Sequence, residues 1–201
     1  MTTDAADTAG IRLNLLPKRR IPLYVGTYSF SDQMLKVAGR HADGVIHIWT
    51  SPELTRHGRE VMSEAAVAAA RDPESIVQGS FFVVSVDEDA KKARDAARPL
   101  IASYARIVHR TWRRAGLVRD EDVDPVLVAF EASGAAGAAA AVSDRLLEKV
   151  AIAGEPRYCL DRLGAYEGTG LTLPIAYGVL GPEPLEGLDL LARSLRARRP
   201  A

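Results

Sequence analysis

The feature that most constrains the fold is a strand, a loop, a helix, a turn and a second strand within residues 21–49. Ile21–Gly26 (IPLYVG) is short, branched and aromatic, as is typical of a buried strand. Apolar residues then recur at helical spacing from Met34 to Ala42, Asp43-Gly44 makes a turn, and Val45–Trp49 is the second strand. A helix between two strands makes the strands parallel. It also places the loop after the first strand at the carboxyl edge of the sheet, where α/β proteins bind ligands.

The same alternation continues to the end of the chain. A third β-branched and aromatic strand is predicted at Ile76–Val86, a fourth at Leu171–Ala176, and a closing amphipathic helix at Leu185–Arg198. Helices fill the intervals, so the order predicts an α/β fold of parallel strands with crossover helices. A closed barrel of this class has eight strands in about 250 residues. The four predicted strands therefore correspond to a partial barrel.

Composition and charge exclude several classes of function. The 201 residues carry 26 basic and 26 acidic side chains, so the net charge gives no general attraction to nucleic acid or to anionic lipid. Residues 1–9 lack the order of a signal peptide, no apolar run approaches the roughly 20 residues of a spanning helix, and the single cysteine, Cys159, excludes an intrachain disulfide. We predict a soluble cytoplasmic protein with no nucleic-acid or membrane partner, a leader at residues 1–20 and one folded unit at 21–201.

The first strand leads into the strongest candidate site, a loop rich in glycine and hydroxyl groups. A glycine at the end of a strand lets a flat ring or a phosphate approach the backbone, and hydroxyls and helix N-terminal amides can then bind it. The alternative is an ordinary turn that caps the following helix, in which Ser31 or Asp32 is the N-cap. The candidate ligand-binding residues are Gly26, Thr27, Tyr28, Ser29 and Ser31.

Other candidates have equally simple structural interpretations. His47 and Trp49 alternate along the second strand and are expected to share one face, either for packing or to stack on a ligand. Tyr177 and Gly178 follow the fourth strand, where barrels often bind phosphate. The basic aromatic cluster at 109–114 is either a phosphate grip or the solvated face of a helix. No spacing of histidine, cysteine and carboxylate predicts a metal site, and no residue is assigned a catalytic role.

Several segments, in order, resemble one known family. They are IPLYVG at Ile21–Gly26, MLKVAGRHADGV at Met34–Val45, ARDPESI at Ala70–Ile76, and VSDRLLEKVAIAGEPRYCLDRL at Val142–Leu163. They resemble the luciferase-like flavin and deazaflavin oxidoreductases, above all the branch of methylenetetrahydromethanopterin reductase. The resemblance implies a (β/α)8 TIM barrel, of which this chain would be the C-terminal half, about the last four βα units.

The resemblance also implies a cofactor and a reaction. The family places the loop after the first strand close to coenzyme F-420 or, as the alternative, FMN, and transfers hydride to a small organic substrate. In this chain Ser31-Asp32 stands where the family often has Gly-Pro. The edges of a half-barrel would be exposed, so we expect a homodimer or a complementary N-terminal-half protein. The competing expectation is a noncatalytic subunit or a degenerate half-barrel.

Overall fold

The computed structural model describes residues 19–27 and 31–198, and these form a parallel sheet with helices on both faces. The strands are β1 (Tyr24–Thr27), β2 (Gly44–Ile48), β3 (Val77–Val86), β4 (Ile152–Gly154) and β5 (Leu173–Leu180). The helices are α1 (Asp32–His41), α2 (Pro52–Ala68), α3 (Ala90–Arg114), α4 (Asp120–Ala141), α5 (Asp144–Val150), α6 (Pro156–Gly164) and α7 (Pro184–Arg198), with a short 3-10 turn at Pro73–Ser75.

The ten-residue strand β3 is the centre of the sheet. It pairs in parallel with β2 through Val77–Phe81, and with β4 through Val84–Val86 farther along. β5 pairs with β3 from Gly79 to Ser85. Because Ser85 pairs with both β4 and β5, those two strands lie on opposite sides of β3. β4 therefore lies on the same side of β3 as β2, beyond the point where the pairing with β2 ends. Four longer strands thus lie in the order β1-β2-β3-β5, with β4 added at the carboxyl end.

Four helices cover one face, called here the outer face. Every second residue of each strand points to this face, because successive side chains of a strand point to opposite faces of the sheet. Val45 of β2 joins Leu35 of α1 and Met62 of α2 in one apolar cluster, and Val84 of β3 joins Cys159 of α6 and Leu191 of α7 in another. Burial in this second cluster raises the pKa of the Cys159 thiol to about 12.

Helices α3, α4 and α5 cover the opposite face only near the carboxyl ends of the strands. Val83 of β3 packs there with Ile101 of α3 and Leu146 of α5. α3 runs unbroken from Ala90 to Arg114 although Pro99 lies inside it. Asp122, at the start of α4, is enclosed and accepts hydrogen bonds from Lys149 and from the Arg119 backbone N–H.

The rest of this second face is not covered by any described residue, and we call it the open face. Strand register assigns to it alternate residues of β1, β2, β3 and β5, whose side chains are not buried. Parallel sheets are normally covered on both faces. An uncovered apolar face is therefore unusual for this class of sheet. The open face includes Tyr24, Gly26, Ile46, Phe81, Leu173, Ile175 and Tyr177.

The α/β class is confirmed. Residues 134–137 lie within α4, where Gly134 has non-helical angles that divide two helical parts. Two details of the sequence prediction are wrong. Four strands were predicted, whereas Ile152–Gly154 forms a fifth. β5 spans Leu173–Leu180 rather than ending at Ala176. Each error concerns a segment whose structure depends on distant pairing or packing.

By length and composition α4 alone, among the described helices, could cross a membrane. Its first turn carries three acidic residues, Asp120, Glu121 and Asp122. Val123, Val126 and Ala138 of α4 pack in the apolar cluster that contains α3 and α5. A single helix of this kind is only weak evidence for a membrane segment.

Candidate functional site

The structure places Gly26 and Thr27 on different sides of the sheet. Gly26 lies on the open face near the carboxyl end of β1, and no atom of residues 19–27 or 31–198 outside its chain neighbours lies within 4 Å of the position that a Cβ would take. Thr27 is buried and shares the outer side with Val25, which packs against the α1–α2 cluster. Gly26 therefore offers the approachable backbone that a flat ligand needs. Tyr28 and Ser29 lie outside the described residues.

Ser31 is at the N-terminus of α1, as predicted, but its hydroxyl makes no capping hydrogen bond. Its carbonyl oxygen accepts from Leu35 N at 3.0 Å, which is the first bond of the helix. Asp32 is the first helical residue, and its Oδ1 lies 2.9 Å from Nε2 of His57 on α2. The serine hydroxyl is thus not needed to start α1, whereas the neighbouring carboxylate is engaged by α2.

His47 and Trp49 do not share one face. His47 is enclosed between β2 and α2, and its Nε2 lies 3.2 Å from the Gln78 amide nitrogen, which also donates to the Thr55 carbonyl. Burial lowers the pKa of His47 to about 4. Trp49 has a φ of 57°, which ends the strand, and its ring packs against α3. The expectation of a common face is wrong because the strand stops at Ile48.

The carboxyl end of β2 borders a polar cavity of about 410 Å3. Ser51 caps α2 by accepting from Leu54 N at 3.2 Å, and Thr50 Oγ1 lies 2.9 Å from Thr55 Oγ1. The Glu53 carboxylate accepts hydrogen bonds from its own backbone N–H and from Ser51, which lower its pKa. This N-terminus is therefore already occupied by a carboxylate, so an added anion would be repelled.

Tyr177 and Gly178 lie inside β5 and not in the loop after it. The Gly178 φ is 93°, and a Cβ there would be 2.7 Å from Cδ2 of Leu100 on α3. Glycine at this position permits the close approach of α3 to the sheet. The structure thus gives Gly178 a packing role, which accounts for it without the phosphate that its position in the sequence had suggested.

Sequence reasoning missed a group of aromatic side chains at the carboxyl half of the open face. The ring of Tyr177 is 5.6 Å from that of Phe81, and its hydroxyl oxygen is 2.6 Å from that of Tyr104 on α3. Trp49 contacts Tyr104 at 4.5 Å between ring centroids. No local pattern could reveal this group, because it requires α3 to fold back over β3 and β5.

The basic aromatic cluster at 109–114 is divided by the helix that carries it. Trp112 is buried, whereas Arg113 forms ion pairs with Asp120 and Asp124. This arrangement agrees with a structural interpretation of the cluster. Within residues 19–27 and 31–198, no three histidine, cysteine or carboxylate side chains are grouped so that they could hold a metal ion.

The fold and the open carboxyl end of β1 define an α/β protein of the kind that binds ligands beside the ends of parallel strands. The chain belongs to the luciferase-like monooxygenase family, whose sequence profile matches residues 4–173. It is 26% identical over 191 residues to 5,10-methylenetetrahydromethanopterin reductase from Archaeoglobus fulgidus, covering 92% of this chain and 56% of the relative. The enzyme of the same name from Methanolobus tindarius is 26% identical over 178 residues, covering 87% and 53%.

Solved structures show the same fold. The coenzyme F-420-dependent tetrahydromethanopterin reductase from Methanopyrus kandleri superposes with a TM-score of 0.75 at 23% identity, over 89% of this chain and 51% of that one. An F-420-dependent secondary alcohol dehydrogenase gives 0.66 at 18% identity, over 92% and 51%. An FMN complex of a type II Baeyer-Villiger monooxygenase from Pseudomonas putida gives 0.56 at 18% identity, over 87% and 48%. The chain spans about half the length of these proteins.

Proposed function

We propose that this chain is part of an oxidoreductase that uses coenzyme F-420, or alternatively FMN, to transfer hydride to a small organic substrate. Family membership supports the class of reaction. The reductase and dehydrogenase relatives use F-420, whereas the monooxygenase structure contains FMN. The cofactor would supply the hydride chemistry, and the protein would bind and orient the reactants.

The observation that carries this proposal is the approachable backbone at Gly26. Since no described residue comes within 4 Å of its missing Cβ, a planar ring can lie directly on β1 at the edge where such folds bind ligands. Ser31 is available at the start of the next helix because its hydroxyl does not cap that helix. The residues proposed to hold the cofactor are Gly26, Tyr28, Ser29 and Ser31, together with the backbone of Thr27, whose side chain is buried on the outer side of the sheet.

Charge favours contact with the ring over contact with the phosphate at this loop. Asp32 occupies the first position of α1, and its carboxylate lies beside His57. A phosphate at the same terminus would meet a like charge, which offsets the benefit of the helix dipole. The ring of the cofactor carries no phosphate charge, so Gly26 and Ser31 are proposed to contact the ring.

We also propose that the open face is covered by a second copy of this chain. Among the described residues, β1 pairs only with β2 and β5 only with β3, so one chain presents two free strand edges. If β5 of each copy paired with β1 of the other, the two copies would together have eight long strands. A closed barrel of this class has the same number. The cofactor site would then be enclosed between the copies. A separate N-terminal-half protein is the alternative occupant.

A second function has two observations in its favour. The open face and the half-length match to relatives are also what a noncatalytic subunit or a degenerate half-barrel would show. Such a protein keeps the fold without needing to hold a cofactor. Cofactor affinity therefore separates the two functions.

The test is a fluorescence titration of the purified chain with coenzyme F-420 and, in parallel, FMN. Micromolar binding is expected. Gly26→Leu should weaken it at least tenfold by filling the space over β1, and Ser31→Ala should weaken it about fivefold, as expected for one hydrogen bond. Neither change is expected to unfold the chain. No described residue lies within 4 Å of the position of a Cβ at Gly26, and the Ser31 hydroxyl does not cap α1.

The matched control is Ser143→Ala. Ser143 caps α5 by accepting from Leu146 N at 3.1 Å, so its loss should lower the free energy of unfolding by about 1 kcal/mol and leave cofactor affinity unchanged. Absence of binding by both cofactors at millimolar concentration would contradict the oxidoreductase proposal and favour the noncatalytic alternative.

A further inference from the structure

A cavity opens between α6 and α7 on the outer face of the sheet. Its volume of about 320 Å3 lies at the lower end of the range of about 300–1,000 Å3 that is usual for pockets that bind small organic molecules. β3 and β5 form its floor through Phe82, Val84 and Ala176, and Leu163 of α6 and Leu191 of α7 lie at its sides. One chain therefore supplies all of these walls.

The lining is mostly apolar, yet part of it remains in contact with solvent. Phe82 and Val84 are buried, whereas Ala176, which pairs with Phe82 across the sheet, is exposed. The Tyr166 ring packs edge-on against Phe82 with 4.9 Å between the ring centroids, and its hydroxyl donates to the Thr50 carbonyl oxygen at 2.8 Å. The hydrogen of this hydroxyl is already used, so the tyrosine offers the cavity its ring.

One charged side chain borders this apolar space. Among the described residues that line the cavity, Glu167 alone carries a charge, and it forms no ion pair with a described residue. Gly164, the last residue of α6, also lines the cavity, and the C-terminus of a helix carries a partial negative charge. Arg162 of the same helix is engaged elsewhere, since it donates to the Glu148 carbonyl oxygen at 2.6 Å. The charge at this cavity therefore favours a cation.

We propose that this cavity binds an organic amine, whose apolar body lies between α6 and α7 and whose ammonium group pairs with the Glu167 carboxylate. A ligand with a carboxylate or a phosphate would meet a like charge there, and an uncharged apolar molecule would gain nothing from the glutamate. The site does not depend on the proposed function, because it lies on the opposite face of the sheet from Gly26.

Three probes that share a phenylbutyl body and differ in the end group test the proposal. At neutral pH phenylbutylamine is a cation, phenylbutanol is uncharged and phenylbutyrate is an anion. Each is titrated into the full chain with isotope-labelled leucine methyl groups, and the signals of Leu163 and Leu191, identified in their Leu→Ile variants, are followed by NMR. The amine should bind about threefold more tightly than the alcohol, as expected for an ion pair partly in water, and the butyrate should bind more weakly than the alcohol.

Two variants locate the binding. Glu167→Gln keeps the shape of the side chain and should make the amine and the alcohol bind equally. Ala176→Phe should weaken all three probes about tenfold by filling the cavity from β5, and the exposure of Ala176 leaves room for the larger ring. Glu131→Gln is the matched control, since this exposed glutamate lies on α4, across the sheet, and the preference for the amine should remain.

Equal binding of the three probes, tighter binding of the alcohol or the butyrate than of the amine, or no binding of any probe would overturn the proposal. A preference for the amine that survives Glu167→Gln would also overturn it. A chain that prefers the amine through Glu167 but binds neither F-420 nor FMN has this site without the proposed reaction. A chain that binds a cofactor but does not prefer the amine supports the oxidoreductase proposal and overturns this one.

Discussion

His47 is a titratable side chain that folding removes completely from solvent. It lies between β2 and α2 beside the Gln78 amide, and burial lowers its pKa from 6.5 to about 4. The unfolded chain therefore binds a proton near pH 6.5 that the folded chain binds only near pH 4. Stability that is present above pH 6.5 is lost progressively as the pH falls through this interval.

The free energy of unfolding should fall by about 3 kcal/mol between pH 6.5 and pH 4, since a tenfold change in proton affinity between the folded and unfolded chain corresponds to about 1.36 kcal/mol. Urea titrations of the wild type and of His47→Gln at several pH values measure this loss. Whatever its absolute stability, the variant should lack this part of the pH dependence. His41→Gln, at the exposed end of α1, should keep it. An unchanged pH slope in His47→Gln would contradict the assignment.

Elements of this fold are held together by close backbone approaches as well as by side chains. α1 and α2 meet at Gly39, where a Cβ would be 2.4 Å from the Met62 carbonyl oxygen and 3.0 Å from the Ala65 Cβ. Arg71 extends the same junction by donating to the carbonyls of Gly39 and Ala42 at 2.6 Å. The first βαβ unit thus depends on one small residue at a helix crossing.

Replacing Gly39 with alanine should destabilise the chain, although alanine is the better helix former by about 1 kcal/mol. Overpacking against a backbone oxygen costs about 1–3 kcal/mol, because the oxygen cannot rotate away as a side chain would. We expect a net loss of about 1 kcal/mol in denaturant unfolding. Gly26→Ala is the control and should cause no loss of stability, since no described residue lies within 4 Å of the position of the added Cβ. Equal stability of the two variants would show that the helices separate easily.

Local signals predicted the elements well where each element is set by its own residues. The β-branched run of β3 was visible in the sequence and is confirmed. β4 was not predicted because three residues become a strand only by pairing with the end of β3. The Tyr104–Tyr177 contact was likewise hidden, since it depends on how α3 packs over β5.

The whole molecule has uncovered apolar surface at both ends of its sheet. Ile21, Leu23 and Met34 are exposed around β1, and Leu185, Leu188 and Leu195 along α7, beside β5. Free strand edges and exposed apolar side chains together favour association. Their location at opposite ends of one sheet is what head-to-tail closure of two copies would require.

Sedimentation velocity over a range of concentrations should show a dimer in the wild-type chain. Leu23→Lys at the β1 edge and Leu188→Lys on α7 should each raise the dissociation constant at least tenfold, because a buried lysine without a partner is costly. Val128→Lys is the control, since Val128 is 65% exposed on α4, away from both edges. A wild-type chain that is monomeric at every concentration would contradict the homodimer and favour a separate partner.

The length of β3 has a consequence for how the molecule opens. This strand hydrogen-bonds to β2 and then to β4 along one side and to β5 along the other. Its backbone amides can reach water only when several neighbours separate together, whereas those of β1 face a single neighbour. In amide hydrogen exchange, β3 should therefore be the most slowly exchanging strand, and the last part of the sheet to lose its protection as denaturant is added.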